Sequence, residues 1–380
     1  MIVRQRVVTY GISTIAAGTV ALALWLRPWA GGSIVDVPTV SPTPVDTANH
    51  QVDVVFAVDT TGSMGGLLEG AKRTVWSIAT HVKDVDPQAD LHVGLVAYRD
   101  LGDDYVTKDF ALSGDMDAVF AELSAYQAAG GGDTPEDVDA ALYDAVHKMQ
   151  WRDGAKKLIF LVGDAPPASR GDVPKFDVSA RAAAARQITL NTIRCGDATD
   201  TAQAWQQIAS LGKGEFSTIE ENGGVQQVAT PYDEKMAELS GRIDSTTVIY
   251  GEHATRARYA AKMAAAAPAP ATTKADRASW YAKAPAKKGR DDADMVAGYE
   301  SGDVDLGKLD TDKLPEDMRG KSKDEIKAEL DRRVADRKAA QVELQKLAKE
   351  RDAYLKAHTG ASAGSGSFDT AVEATVEHEL

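Results

Sequence analysis

Residues 59–64 read Asp59-Thr60-Thr61-Gly62-Ser63-Met64 and follow directly on an apolar stretch, Val52 to Val58. The apolar stretch predicts a buried strand, so the hexapeptide forms the loop at its end. Asp59, Thr61 and Ser63 place one carboxylate and two hydroxyls at alternate positions of this loop. Such oxygen ligands suit a hard divalent cation such as Mg²⁺, but the same residues are typical of a helix N-cap. The stretch therefore indicates either a metal site or the start of a helix.

Two later segments favour the metal site. A glycine run, Gly130 to Gly132, delivers Thr134 just before a helix that Pro135 is expected to start. A second apolar strand, beginning near Lys157, ends on Asp164, and the prolines after it prevent its continuation. Ligands of open parallel sheets bind at the carboxyl ends of the strands, so these loops can converge on one point. We therefore expect Thr134 and Asp164 to join the first loop.

Together these residues resemble the metal-ion-dependent adhesion site (MIDAS) of the von Willebrand factor A (vWA) domain, which reads Asp-x-Ser/Thr-x-Ser, then a loop Thr, then a strand-end Asp. The resemblance implies that Thr61 and Ser63 ligate a cation directly and that Thr134 ligates it directly or through water. It implies that Asp59 and Asp164 hold coordinated waters, while an Asp or Glu of a partner protein completes the coordination. The expected ion is Mg²⁺, with Mn²⁺ or Ca²⁺ as alternatives. Thr61 replaces the commoner Ser but keeps the hydroxyl.

A Tyr-Arg-Asp segment ends the strand predicted over Leu91 to Tyr98, and it resembles a segment of bacterial vWA proteins and vWA-linked alpha-kinases. We interpret Arg99 with Asp100 as a loop salt bridge of small energetic consequence. A less favoured interpretation gives some acids of this edge a role at the rim or in a second shell of the metal site. These acids are Asp100, Asp103, Asp104 and Asp133.

Residues 51–229 alternate strands and helices, as a doubly wound, mostly parallel α/β sheet flanked by helices requires. This is the Rossmann-like architecture that the vWA resemblance also implies. One strand, near Tyr105 to Leu112, is expected to be an antiparallel edge strand. With 380 residues, of which 43% are apolar, the chain is long enough for this domain and a smaller helical part.

The sequence predicts an α-helical C-terminal region beyond the α/β domain. Its expected parts are an alanine-rich helical segment with a break at Gly251 (230–266), a linker with a polar region (267–313), a helix (314–358) and a disordered tail (359–380). Ser322 and Glu325 form a capping box at the start of the long helix. Arg337 and Arg351 interrupt its apolar side, so any coiled coil would be imperfect.

The amino terminus carries a separate signal. Residues 7–26 are uncharged and, at about 1.5 Å per residue, would span a hydrocarbon core of about 30 Å as a helix. Two arginines precede them, which predicts a single-pass protein of the bacterial inner membrane with the domain outside the cytoplasm. Ala21-Leu22-Ala23 leaves a cleaved signal peptide, and thus a secreted or periplasmic protein, as the alternative. Residues 1–30 are therefore an anchor or signal, and residues 31–50 a linker.

Composition and motifs restrict the function. The net charge of −14 argues against nucleic-acid binding, and the lone Cys195 excludes an intrachain disulfide. The favoured function is a membrane-tethered or exported, metal-dependent protein-binding module that is not an enzyme. A metal-dependent or Ser63-dependent hydrolase is the alternative, but Ser63 lacks the Gly-x-Ser-x-Gly spacing and no His is placed as its base. A scaffold with an unoccupied site is a third interpretation.

Overall fold

The computed structural model describes residues 50–132, 135–168, 170–283, 290–358 and 366–380. The expected membrane segment, the linker before residue 50, and the expected site residues Asp133 and Thr134 lie outside these ranges. No helix within the described ranges is long and apolar enough to cross a membrane.

Six strands form one sheet in the order β3-β2-β1-β4-β5-β6. The strands are β1 (Gln51–Asp59), β2 (Asp90–Tyr98), β3 (Thr107–Ser113), β4 (Lys156–Gly163), β5 (Ile188–Cys195) and β6 (Lys213–Ile219). The edge strand β3 pairs antiparallel with β2, and the other pairings in the sheet are parallel. The predicted mostly parallel α/β fold is confirmed. Because β1 and β4 are central neighbours with Val58 opposite Val162, Asp59 and Asp164 lie at the same edge.

Helices cover both faces of the sheet. One face carries α1 (Gly65–Val85) and α2 (Met116–Ala125), and the other carries α3 (Val138–Tyr143), α4 (Phe176–Ala185) and α5 (Thr199–Leu211). Side chains along β1 point alternately to the two faces of the sheet, so the core has two parts. Phe56 and Val58 face α1, while Val55 and Ala57 face α3. The strand is thus buried on both sides, which explains its continuous apolar run.

The helix expected at Pro135 begins at Val138 instead. Asp137 caps it, because its carboxylate accepts a hydrogen bond of 2.9 Å from the backbone N–H of Ala140. Glu136 is part of a short bridge to the loop after β4, where its N–H donates to Pro166 O at 3.1 Å. The bridge ties the segment before α3 to the exit of β4.

The C-terminal region is helical, as predicted. Its helices are α6 (Asp233–Thr246), α7 (His253–Ala266), α8 (Ala271–Lys283), α9 (Met295–Ser301), α10 (Lys323–His358) and α11 (Phe368–Glu379). The capping box forms at the start of α10, where the N–H and Oγ of Ser322 both donate to Glu325 at 2.8 Å. The arginines that interrupt the apolar side of α10 are buried and paired, Arg337 with Asp294 at 2.7 Å and Arg351 with Asp233 at 2.7 Å. That side packs on α6 and α8 of the same chain.

The prediction of a linker over residues 267–313 is wrong where α8 forms. This helix packs on α1, and the ring of Tyr281 lies 6.1 Å from that of Trp76. Its composition, rich in alanine and threonine after two prolines, suggested a linker, but Trp280 and Tyr281 give it apolar surface to bury.

The prediction of a disordered tail is wrong over residues 368–379, which form α11. Phe368, Val372 and Val376 are buried at helical spacing, and the ring of Phe368 lies 6.0 Å from Phe56 of β1. The chain returns to the sheet beside the end of β6, where the N–H of Glu220 donates to Gly366 O at 3.0 Å. Helices α6 to α10 are therefore inserted between the last strand and a helix that completes the cover of the sheet. Helices α8 and α11 thus contribute to the core of the α/β domain, whereas α10 packs in separate clusters with α6, α8 and α9.

Candidate metal site

The loop after β1 brings three of the predicted side chains together. Asp59 Oδ1 accepts hydrogen bonds from the backbone N–H and the Oγ1 of Thr61, at 2.8 and 2.7 Å. The hydroxyl oxygens of Thr61 and Ser63 lie 3.4 Å apart. Asp59 and Thr61 are 0% and 2% exposed, whereas Ser63 is exposed. The three side chains form one oxygen cluster that opens to solvent at Ser63.

This loop does not behave as an ordinary helix cap. The 3-10 turn Gly62–Met64 and then α1 follow it, and neither Thr61 nor Met64, at the two cap positions, makes a side-chain cap hydrogen bond. The hydroxyls and the carboxylate are thus not used to start α1. Of the two interpretations of the hexapeptide, the geometry favours the metal site.

Asp59 carries an oxygen that the described protein leaves unsatisfied. Its Oδ2 is buried and has no hydrogen-bond partner among the described residues. Burial raises the pKa of Asp59 to about 7, although the bonds from Thr61 oppose the shift, and the charge of Asp164 adds to it. Buried polar atoms are nearly always satisfied by a partner, so a cation or its bound water would fit this oxygen.

Asp164 lies at the same edge, directly after β4, and is partly buried. Its backbone oxygen accepts a hydrogen bond of 2.9 Å from Thr201 Oγ1 of α5, which fixes the loop. The preceding Gly163 allows the close approach of the two strand ends, because a Cβ there would lie only 3.0 Å from the Cβ of Asp59. The structure thus brings Asp164 beside Asp59, as predicted.

The loop that carries Thr134 is anchored on both sides of that residue. Gly130 O accepts a hydrogen bond of 3.3 Å from Gly62 N, and a Cβ on Gly131 would lie 3.1 Å from the Cβ of Thr61. On the other side, the bridge of Glu136 holds the chain against the exit of β4. Thr134 itself lies outside the described residues, so its role stays a prediction.

Glu136 is a residue of this site that the sequence analysis did not identify. Glu136 is 3% exposed, and its buried Oε2 has no hydrogen-bond partner in the described part of the chain. Burial, and after it the charges of Asp59, Asp100, Asp103 and Asp164, together raise the pKa of Glu136 to about 8. In the sequence, Glu136 resembles an ordinary acidic residue in the first turn of a helix. Only its burial in the structure distinguishes it from such a residue.

The predicted salt bridge between Arg99 and Asp100 is wrong. Arg99 donates to the backbone oxygens of Thr60 at 3.2 Å and Gln127 at 2.7 Å, and its guanidinium lies 4.4 Å from the ring centroid of Tyr105. Arg99 therefore ties the loops of the site together by binding carbonyl groups.

The remaining rim acids make separate contacts. Asp100 pairs with Arg170 at 2.7 Å, in the loop after β4. Asp103 accepts a hydrogen bond of 3.1 Å from the N–H of Gly131, so it holds the glycine run. Asp133 lies outside the described residues. Across the described ranges, no three His, Cys, Asp or Glu side chains form a metal-ligand group. A cation here would depend on hydroxyls and waters, as Mg²⁺ sites commonly do.

Several known proteins are similar to this chain. The alpha-protein kinase vwkA of Dictyostelium discoideum is 30% identical over 122 residues, which cover 31% of this chain and 19% of the kinase. The chain thus spans about a fifth of that relative's length. The solved structure of BatB from Bacteroides thetaiotaomicron is 18% identical with a TM-score of 0.35, covering 44% of this chain and 90% of that protein. Proximal thread matrix protein 1 of the mussel byssus, solved with a zinc-occupied MIDAS, is 14% identical with a TM-score of 0.35, covering 45% of this chain and 42% of that protein.

Residues 53–230 match the family described as the von Willebrand factor type A domain. The matched range contains the six-stranded sheet and the described residues of the candidate site. Domains of this type are commonly metal-dependent protein-interaction modules with a MIDAS, and they are typically not enzymes. The chain therefore contains a von Willebrand factor type A domain at residues 53–230.

Proposed function

We propose that the vWA domain binds a partner protein through a divalent cation, with Mg²⁺ as the expected ion. The observation that carries the proposal is the buried Oδ2 of Asp59, which has no hydrogen-bond partner among the described residues, beside the adjacent hydroxyls of Thr61 and Ser63. The hydroxyls, with that of Thr134, would bind the cation, while Asp59 and Asp164 would hold its waters. The cation supplies a positive centre on the exposed side of the loop, where an Asp or Glu of the partner would complete the coordination.

Calorimetric titration of the full chain in detergent with Mg²⁺ and Mn²⁺ tests the site. We expect Asp59→Ala and Ser63→Ala to abolish cation binding while the circular dichroism spectrum is retained. The matched controls are Asp153→Ala and Ser210→Ala, exposed residues in the loop before β4 and at the end of α5. Controls should bind like the unmodified chain. Unchanged affinity in both site variants would refute the assignment.

Affinity capture tests the interaction. The tagged chain is incubated with solubilised membranes in Mg²⁺ and, in parallel, in EDTA. Partners of the proposed kind are recovered only with Mg²⁺ and are lost with Asp59→Ala. Proteins that bind equally under all three conditions do not use the cation, and recovery of these alone would contradict the proposal.

We further propose that residues 7–26 tether the domain to the bacterial inner membrane, with the domain outside the cytoplasm. The uncharged length of this segment and the arginines before it support the proposal. Protease added to intact spheroplasts should digest residues beyond Gly31, and full protection would contradict export. The mass of the mature chain separates an anchor from a signal cleaved near Ala23.

A further inference from the structure

We propose that the acidic residue of the partner lies within a cluster of lysine and arginine side chains. This inference rests on the proposed function and specifies its partner: a basic protein surface with one Asp or Glu at its centre. Acidic side chains border the proposed cation position and line its open side.

Three carboxyl groups lie close to the proposed cation position. Asp59 and Asp164 are the two strand-end acids that the MIDAS pattern contains. Glu136 adds a third, and its position is close, because a Cβ on Gly131 would lie 3.4 Å from Glu136 Oε1 and 3.1 Å from the Cβ of Thr61. The Oε2 of Glu136 is buried and receives no donor from the described residues. Three acidic side chains of this chain therefore border the proposed cation position.

The nearby arginines are directed at other groups. Arg99 is bound to the carbonyl oxygens of Thr60 and Gln127. Arg170 is paired with Asp100 at 2.7 Å. Arg99 also opposes the raised pKa of Asp59, although the burial of Asp59 outweighs it. The charges that raise the pKa of Glu136 are those of neighbouring carboxylates.

The open side of the site is also acidic. Ser63 shares a shallow groove with Glu220, Glu221 and Asn222, which follow β6. Asp104, in the loop after β2, lies 3.7 Å from Arg99, but its side chain is 92% exposed. Further exposed acids in the loops at this edge are Asp172 after β4 and Asp197 after β5. Among the described residues of these loops, the basic side chains that reach the surface are Lys175 and Arg170, and Arg170 is paired with Asp100.

A lone carboxylate approaching this edge would meet repulsion before it reached the cation. At physiological ionic strength, charges interact over about 8 Å, which is comparable to the distance between neighbouring side chains on a docking surface. Lysine and arginine residues around the partner's acid would face the rim acids and convert repulsion into attraction. Complementary charge of this kind raises association rates and selects partners.

Designed peptides can separate these contributions. Four immobilised peptides carry a central Asp flanked by Lys and Arg, a central Asp flanked by Ser, a central Asp flanked by Glu, and a central Asn flanked by Lys and Arg. The full chain in detergent is applied with Mg²⁺ and with EDTA. We expect the basic Asp peptide to bind about tenfold more tightly than the Ser-flanked one in Mg²⁺, with the preference reduced at high salt. The Asn peptide should lose the Mg²⁺-dependent binding.

Rim variants then locate the effect. The double variant Glu220→Gln, Glu221→Gln should reduce the preference for basic flanks while still binding Mg²⁺ in calorimetry. The matched control, Glu316→Gln with Glu343→Gln, neutralises two exposed acids of the C-terminal region and should leave the preference unchanged.

Several results would overturn the inference. One is equal or tighter binding of the Ser-flanked or Glu-flanked Asp peptide in Mg²⁺. Another is the absence of Mg²⁺-dependent binding of the basic Asp peptide by protein that binds Mg²⁺ in calorimetry. A preference for basic flanks that is as strong in EDTA would show attraction independent of the cation, which also contradicts it. If calorimetry shows no cation binding at all, the proposed function itself has failed.

Discussion

Buried charges occur in two regions of this molecule, and their surroundings differ. Where α2, α6 and α8 meet, Arg277 bonds both carboxylate oxygens of Asp117, at 2.6 and 2.8 Å, and Tyr281 donates a third hydrogen bond at 2.8 Å. Burial alone would raise the pKa of Asp117, but the charge and hydrogen bonds of Arg277 outweigh it, so the pKa is lowered. At the candidate metal site, Asp59 and Glu136 are as deeply buried, and each has an oxygen that receives no hydrogen bond from the described residues.

The difference separates a structural role from a binding role. A buried acid that is paired and fully hydrogen-bonded holds elements together, and removing its partner is costly. A buried acid without a counter-charge raises the free energy of the folded state, and such groups concentrate at functional sites. The contacts of Asp117 explain how α8 is fixed to α2, whereas the surroundings of Asp59 and Glu136 fit the cation proposed above.

The largest effect is expected from breaking the paired cluster. Asp117→Ala leaves Arg277 buried without its main partner, so the free energy of unfolding should fall by about 3 to 5 kcal/mol. Asp336→Ala is the control, because Asp336 pairs with Arg242 at an exposed position. It should change the urea unfolding midpoint little. Similar midpoints for the two variants would show that the paired cluster does not hold these helices together.

Two aspartates on β1 give a direct comparison of paired and unpaired acids. Asp53 and Asp59 are both 0% exposed, but Arg152 bonds Asp53 through Nε at 2.6 Å and through its backbone N–H at 2.8 Å. In EDTA, Asp59→Asn should be at least as stable as the unmodified chain, because Asn keeps the acceptor for Thr61 and removes a buried charge. Asp53→Asn should be less stable, because it loses the charge that faces Arg152.

Added Mg²⁺ should reverse the order of the two variants. A ligand at one hundred times its Kd stabilises the folded state by about 2.7 kcal/mol, so Mg²⁺ should raise the Tm of the unmodified chain and of Asp53→Asn by several degrees. Asp59→Asn should show no increase. Thermal unfolding in Mg²⁺ and in EDTA measures the order of the two Tm values and the increase that Mg²⁺ causes in each. An equal increase in the two variants would contradict the assignment of Asp59 to the metal site.

A further, partly buried acid, Glu373, sharpens the comparison, because it is not proposed as part of a site. Burial raises the pKa of Glu373 on α11 to about 7, and the charges of Asp369 and Glu377 on the same helix, Asp276 on α8 and Asp84 on α1 add to the shift. The folded state therefore holds this proton more tightly than the unfolded state. The resulting stabilisation is full below about pH 4.5 and is lost as the pH rises through about 7.

Glu373→Gln should remove this pH dependence, a difference of roughly 2 kcal/mol in the free energy of unfolding between pH 4.5 and 7.5. Glu316→Gln is the control, since Glu316 is exposed and lies outside α11. Urea unfolding at a series of pH values measures the effect. A curve for Glu373→Gln parallel to that of the unmodified chain would show that this carboxyl does not titrate with folding.

The smallest effect on stability concerns the glycine run. Gly131 and Gly320 have φ values of +78° and +79°, so alanine strains the backbone at either position by about 1 kcal/mol. A Cβ at Gly131 also meets Thr61 and Glu136, whereas nothing lies within 4 Å of one at Gly320. Gly131→Ala should therefore weaken Mg²⁺ binding in calorimetry, and Gly320→Ala should not. Equal Mg²⁺ affinities would show that the glycine loop does not shape the site.

The sequence by itself determined the α/β domain and the first loop of the site. The apolar run of β1 and the following Asp59, Thr61 and Ser63 are local patterns, and the structure places those three side chains in contact. The strand that ends before Asp164 was likewise predicted from its own residues. Local periodicity suffices here, because both faces of each central strand are buried and every residue of the run must be apolar.

Only the tertiary structure decided which acids are paired, where Arg99 binds, and that the tail carries α11. Asp53 and Asp59 are alike in the sequence, and they differ because Arg152 reaches one end of β1 and not the other. Glu136 is part of the site because the bridge to the loop after β4 buries it. Phe368 is part of the core because α11 packs its ring against Phe56. Burial and charge pairing depend on neighbours that are distant along the chain, so no local pattern carries them.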